Sequence, residues 1–391
     1  MQKKNILIFL TVLFLHTVNA QHNSLTDGKL YNGIRLKDLA GKCEDYTVIK
    51  ESVPLLSSTS VLIDKTIYTA YIIQDSVKNI GFSRSSDGGK TWESASFGES
   101  LNAEDPTSVS LFDISGRNRK RSSSREMILF TGGKPLKSSI ATPGTEFPEL
   151  APVNFFGSYR ITSLLKSNNG KLFAVFHDDG RFIHSNENNN IRRSVIYTIS
   201  SDDGGKTWTL PEVAVRHNQY GLYDAVIFEN SNKKERELIM IASERVSGTA
   251  YISFNKENGG NWSYPVALPD FIQGDRFSVT MINKTLYIAY RDLCRYFRDG
   301  TINPFFGDLV MWTGDLKELV KGRKNGLKVR IADNYPQDSA PDFTDLRVFD
   351  CGYPTIIPVS KNRLSITAYG RWDSQEPPYV KSFIINTELL K

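Results

Sequence analysis

The chain of 391 residues is 40% hydrophobic and 11% aromatic, enough apolar material for a large core, and its size suits one large all-β domain or two smaller ones. Its 48 basic and 43 acidic residues leave a net charge of +5, too balanced for a nucleic-acid binder, and no basic run is interleaved with aromatics. Cys43, Cys294 and Cys351 are widely spaced with no CxxC or Cys/His pattern, so the sequence makes no case for a metal site.

Residues 2 to 20, QKKNILIFLTVLFLHTVNA, join two lysines to an apolar run from Ile6 to Leu15 and a small-residue exit at Val18 and Ala20. This predicts a signal peptide over 1–20, too short to span a bilayer, followed by one domain over 21–391. The expectation is a secreted or periplasmic monomer with no membrane anchor. Export permits one disulfide among the three cysteines without specifying the pair.

Residues 21 to 52 are expected to add an outer strand to whatever fold follows. Unit one is TSVLIDKTIYTAYII (59–73) with IGFSRSSDGGKTW (80–92), two apolar runs around a polar turn and then a third strand. Unit two is PTSVSLFDI (106–114) with EMILFTGG (126–133), divided by a basic, serine-rich loop over 116–125. Unit three, YRITSLLKSNNGKLFAVF with VIYTISSDDGGKTW, occupies 159–208 and shows the pattern most plainly. Unit four is 224–244 with 251–262, unit five 276–292 with 308–316, and unit six 353–373 with 379–387. PDFTDLRVFDCGY (341–353), which closes the long segment 303–350 before unit six, has the position of a lid over the site. Repeats of this length, with strands and no helical periodicity, predict an all-β fold: a six-bladed β-propeller.

SSDGGKTW (85–92) and SDDGGKTW (201–208) share S-x-D-x-G-x-T-W, and NKENGGNW (255–262) is a worn copy. The aspartate suits capping of turn N–H groups, the glycine suits a positive φ, and the tryptophan can seal the turn against the blade. These turns resemble the Asp box, or BNR repeat, of the sialidase superfamily, where the boxes are structural.

Strand parity locates a site. If the first strand of each blade starts at the top, second strands end there and the box turns lie at the bottom. First-strand starts then bring Arg160, Tyr223, Asp224, Arg276 and Tyr353 to one mouth, and second-strand ends bring Asp178, Asp179, Arg181, Glu244, Arg245, Arg291, Asp292, Arg371 and Asp373. Charged groups near a channel are costly unless paired or used for a ligand. Plain structural readings stand beside these: solvated strand ends for Arg160 and Arg276, a local ion pair for Arg291 and Asp292, a core ring for Tyr353, a backbone cap for Asp224, and loop positions for His177 and His184, which flank Asp178 and Asp179.

The same mouth resembles the exo-sialidases. YRIT at 159–162 is similar to that family's FRIP or YRIP motif without its proline, which implies that Arg160, with Arg245 and Arg276, grips a substrate carboxylate. Tyr353 in CGYPTII matches the nucleophilic tyrosine, and Asp224 stands where the family has an activating glutamate. A tyrosine replaces the usual carboxylate nucleophile because the carboxylate of sialic acid would repel one. The general acid would come from HDDGRFIHSNENNN, with Asp178, Asp179 and Glu187 as candidates. GRWD replaces the glutamate that supports the first arginine, leaving Asp373 nearby and adding Arg371. The resemblance implies a retaining exo-glycosidase that releases a terminal acidic sugar from a sialoglycan or other acidic oligosaccharide, with no cofactor. Two alternatives are a hydrolase or lyase acting on uronate-linked sugars and a non-catalytic propeller that binds acidic glycans.

Overall fold

The computed structural model describes residues 30–31, 33–95, 105–115, 125–153, 157–167, 169–183, 193–230, 237–255, 261–297, 300–323, 325–335 and 350–390. The expected signal peptide, His184, Glu187 and most of the candidate lid (341–349) lie outside them, as do 116–124 of the basic loop and 256–260 of the third box.

Six sheets, built mainly from antiparallel strands, form the ring, each with its first strand innermost. Blade one comprises Leu55–Ile63, Thr66–Gln74, Lys78–Ser85 and Glu93–Ser94; blade two comprises Val109–Asp113, Met127–Thr131, Lys137–Ala141 and Ala151–Pro152. Ile161–Lys166, Leu172–Asp178, Val195–Ser201 and Glu212–Val215 make blade three, and Leu222–Glu229, Leu238–Glu244, Ala250–Asn255 and Val266–Ala267 make blade four. Blade five is built on Gly274–Ile282, Thr285–Asp292, Leu309–Asp315 and Leu327–Ala332, and blade six on Gly352–Ser360, Arg363–Gly370 and Tyr379–Asn386.

Each blade packs face to face on its neighbours, so middle strands are buried on both faces and read as nearly unbroken apolar runs. Leu238–Glu244, LIMIASE, is buried at every position. The core is divided among the six interfaces between neighbouring blades; Leu55 and Tyr71 of blade one meet Tyr369 and Val380 of blade six and complete the circle.

The expected outer strand is Glu44–Ile49, which pairs antiparallel with Tyr379–Asn386 and gives blade six its fourth strand. The sequence did not show that Ile34–Asp38 runs parallel to Leu327–Ala332, with Leu30–Tyr31 beyond it, making blade five six-stranded. Ile34 and Leu36 are buried in the core shared by blades four and five. Arg330 donates to both carboxylate oxygens of Asp38. Part of the long segment 303–350 is the fourth strand of blade five, Leu327–Ala332, preceded by the short helix Leu316–Val320 that Asp315 caps. All three cysteines are free thiols, so no disulfide forms.

The two described SxDxGxTW turns fasten neighbouring blades. Asp203 accepts from the N–H groups of Lys206 at 3.0 Å and Thr207 at 2.9 Å and from the Thr207 hydroxyl at 2.6 Å. These bonds, with one from Ser201, hold its carboxyl well below the usual range. Gly205 takes φ +94°, and a Cβ there would come within 3.0 Å of Ile128 in blade two. Trp208 donates to Gly205 O at 3.0 Å and meets Phe130 of blade two edge-on, with ring centroids 5.5 Å apart. Asp87, Gly89 and Trp92 repeat the arrangement against blade six.

Trp208→Ala removes a buried ring from the joint between blades two and three. We expect a loss of about 3 kcal/mol or more in guanidinium unfolding at neutral pH.

Candidate functional site

The innermost strands of blades one, four, five and six carry the same irregularity near their starts. Pairing steps from Leu56↔Ile72 to Thr59↔Ala70, from Tyr223↔Ser243 to Val226↔Ile241, from Asp275↔Arg291 to Ser278↔Ala289, and from Gly352↔Tyr369 to Thr355↔Thr367. Each step places three residues opposite two, a one-residue β-bulge that turns a side chain away from the regular alternation. The extra residue is left-handed in all four: Ser57 at φ 53°, Asp224 at 48°, Arg276 at 57° and Tyr353 at 42°. Non-glycine residues held there cost on the order of 1–3 kcal/mol each and concentrate at functional sites.

A cavity of about 560 Å³ opens at this mouth, lined by Tyr353, Asp224, Arg276, Arg245, Asp179 and His177 among others. Below it, a second space of about 220 Å³ follows the central channel; Tyr353, Asp224 and Arg276 border both, whereas Arg160 borders only the channel. Tyr353 is therefore the floor of the mouth. The Arg160 guanidinium lies 3.7 Å from the centroid of its ring and that of Arg276 4.9 Å. Burial pushes the phenol up and the Asp224 charge adds to this, while both arginines pull it down.

Arg276 is held by Asp350 Oδ1 at 2.7 Å, Cys351 O at 2.5 Å and the Tyr369 hydroxyl at 2.7 Å, and Tyr369 itself donates to Asp350 at 2.9 Å. Against the upward push of burial, Arg276 keeps the Asp350 carboxyl below its ordinary range. Arg291 makes a bidentate pair with Asp275 at 2.9 and 2.5 Å, and Tyr223 donates to the same carboxylate at 3.2 Å. Burial raises the Asp224 carboxyl above its ordinary value. The backbone N–H of Asp224 donates to His177 Nδ1 at 3.3 Å. Burial lowers the His177 imidazole, so it is neutral and its 3.9 Å approach to the Asp224 carboxylate is not an ion pair. The Asp224 and Tyr353 side chains face the same space without a hydrogen bond between them.

Of the candidate acids, Asp178 and Asp179 both line the cavity, and Asp179 has Arg181 Nη2 at 3.3 Å and Arg245 Nη1 at 3.6 Å. Asp178 is committed to the chain: its carboxylate accepts from the N–H groups of Gly180 at 2.8 Å, Phe182 at 3.1 Å and Ile183 at 3.0 Å. Those bonds make it a turn cap. Arg245 is mostly exposed at the rim. Arg371 and Asp373 are not among the cavity's lining residues. Their strand ends at Gly370, and they tie down the following turn, Arg371 Nη2 to Ser374 O at 2.6 Å and Gln375 N to Asp373 Oδ1 at 3.0 Å. Arg291 and Asp292 do not pair with each other: fully buried Asp292 pairs with Lys328 Nζ at 2.5 Å inside blade five. Asp275, Asp350, Tyr369 and Ser57 escaped the sequence reading. Asp275 immediately precedes Arg276, and Tyr369 obeys the strand-end rule one turn earlier than Arg371, so both were within reach of it. Among the described residues, no group of three His, Cys, Asp or Glu is placed to hold a metal ion.

No family model and no curated protein matches the chain. Solved structures do match it in fold. A protein of unknown function from Dyadobacter fermentans superposes with TM-score 0.64 at 12% identity, covering 88% of this chain and 98% of that one. The intramolecular trans-sialidase of Ruminococcus gnavus, solved with oseltamivir carboxylate, gives 0.55 at 11% identity, covering 90% and 99%. Trypanosoma rangeli sialidase, solved with sialic acid, gives 0.54 at 10%, covering 90% of this chain and 60% of its own. The chain thus shares the six-bladed propeller of the sialidases.

Two expectations follow. Arg291→Met leaves Asp275 as a buried charge without its partner and should cost about 3–5 kcal/mol in denaturant unfolding. His177 binds a proton less tightly folded than unfolded, so its contribution is complete above the ordinary value of 6.5 and declines as pH falls below it. Stability measured against pH should lose that part of its slope in His177→Asn.

Proposed function

We propose that the protein is a retaining exo-glycosidase that removes a terminal acidic sugar, sialic acid in the first instance, outside the cytoplasm and as a monomer. The observation that carries this reading is Tyr353: a phenol on the cavity floor, fixed by a left-handed bulge, with guanidinium groups against its ring and Asp224 on the equivalent bulge two blades away. Arg245 and Arg276 line the cavity and supply the positive charge that a sugar carboxylate needs.

In this reading the Tyr353 oxygen forms a bond to the anomeric carbon while its proton passes to Asp224. The glycosidic C–O bond breaks, and Asp179 gives its proton to the departing oxygen. Asp179 then takes a proton from water, whose oxygen displaces the tyrosyl oxygen, and Asp224 returns the first proton to Tyr353. Every proton is restored over the cycle. The raised Asp224 carboxyl holds a proton more readily than an ordinary aspartate does.

One observation favours a second reading, β-elimination of a uronate. Neutral His177 lines the same cavity, where an imidazole can act as a base, with Arg276 available to neutralise the uronate carboxylate.

The test is a fluorogenic α-sialoside assay with wild type, Tyr353→Phe and Asp179→Asn. Turnover should fall by at least about 10³-fold in Tyr353→Phe and by roughly 10²-fold or more in Asp179→Asn. Folded wild type that does not turn over any sialoside overturns the proposal. A panel of uronate-bearing glycans then separates an unsaturated product, which marks the lyase, from binding without turnover, which marks a glycan-binding propeller.

A further inference from the structure

We infer that Arg160 acts on Tyr353 and not on the substrate, as a positioning residue held beneath the phenol ring by Ser57. The inference rests on the reading of Tyr353 as the reacting group and assigns its arginine a different role from the carboxylate clamp that the YRIT motif suggests.

Arg160 belongs to blade three, across the ring from blade six, and it does not occupy the bulge position. The bulge of blade three falls between Ile161 and Ser163, after Arg160. Its side chain instead spans the channel. Nη1 donates to the Ser57 hydroxyl and Nη2 to Ser58 O at 3.3 Å, both on blade one. Ser57 is the blade-one counterpart of Asp224, Arg276 and Tyr353, and its short side chain leaves room for a guanidinium from elsewhere. The Ser57 oxygen is fixed in turn by the N–H of Val109 in blade two, at 3.1 Å. Three blades thus set the position of one cation.

That cation lies 3.7 Å from the Tyr353 ring centroid, nearer than Arg276, and is 5% exposed. Tyr353 borders both mouth and channel while Arg160 borders the channel alone, so the phenol ring stands between Arg160 and anything bound in the cavity. Among the described residues Arg160 makes no ion pair. A buried guanidinium without a carboxylate is costly, and the π-face of Tyr353 is its compensating partner. The attraction grows as negative charge develops on the phenol oxygen, both when Tyr353 gives up its proton and when the sugar leaves it. An interaction that strengthens only along the reaction raises kcat and leaves ground-state binding alone.

The experiment compares Arg160→Met, Arg160→Lys, Ser57→Ala and Arg276→Met. With a turned-over sialoside, Arg160→Met should lower kcat about 10²-fold with KM within about threefold, Arg160→Lys should recover part of the loss, and Ser57→Ala should follow Arg160→Met more weakly. Calorimetry with free sialic acid reads the same distinction without turnover: affinity is kept in Arg160→Met and falls at least about tenfold in Arg276→Met. A ligand-free arm uses denaturant midpoints of Arg160→Met, Tyr353→Leu and the double variant, whose destabilisations should be non-additive because the two side chains share one contact. A KM or dissociation constant raised tenfold or more in Arg160→Met with kcat retained overturns the inference, as do unchanged kinetics or additive destabilisations. Absence of sialoside turnover strikes at the hydrolase reading, and the midpoint cycle still decides this one.

Discussion

One extra residue held in the left-handed region near the start of an innermost strand recurs in four of the six blades. A regular strand would send alternate side chains into the two blade interfaces, leaving the channel mouth to backbone. The bulge redirects one residue per blade to the axis, and so a serine, an aspartate, an arginine and a tyrosine converge. Left-handed non-glycine residues are strained, and they persist only where the surroundings over-determine them. Gly352 shows how closely this is done: at φ 132°, a Cβ there would sit 2.7 Å from Arg276 Cδ. No side chain can precede Tyr353 while Arg276 holds Asp350 and Tyr369.

Two kinds of buried charge coexist in the molecule. Asp275 with Arg291 and Asp292 with Lys328 are buried pairs, and Arg330 gathers Asp38, Asp308 and Asp333. Such pairs contribute little net stability but are expensive to break. At the floor of the cavity the pattern changes. Arg160 rests on an aromatic face with neutral hydrogen-bond acceptors, and Asp224 has a neutral imidazole and a phenol for neighbours. Charge left open in this way is where a ligand or a developing charge finds its counterpart.

Much of this was legible in the chain. Apolar runs around short polar turns marked the strands, two intact box motifs marked the bottom face, and parity assigned Tyr353, Asp224, Arg276, Arg245 and Asp179 to one mouth, where they line one cavity. What stayed hidden has physical causes. Left-handed Ser57, Arg276 and Tyr353 are not residue types that announce a positive φ, so these bulges left no mark. The choice between Asp178 and Asp179 depends on which carboxylate the loop backbone claims. Arg371 and Asp373 were misplaced because their strand ends at Gly370. Arg160 answers to the width of the ring, which no local motif encodes.

The sheet that carries Tyr353 draws its outer strand from near the chain's beginning and the rest from its end, with Lys381 and Asp45 joined across a sequence separation of 336 residues. Until the last strand is made, Glu44–Ile49 has no partner and blades one and five stand as open edges of an arc. The site is therefore assembled late. Closing so long a loop is an entropic toll collected all at once, and the tyrosine at the floor takes its place only when the ring closes, so a chain cut short of its final strand keeps most of its blades and loses the floor of its cavity.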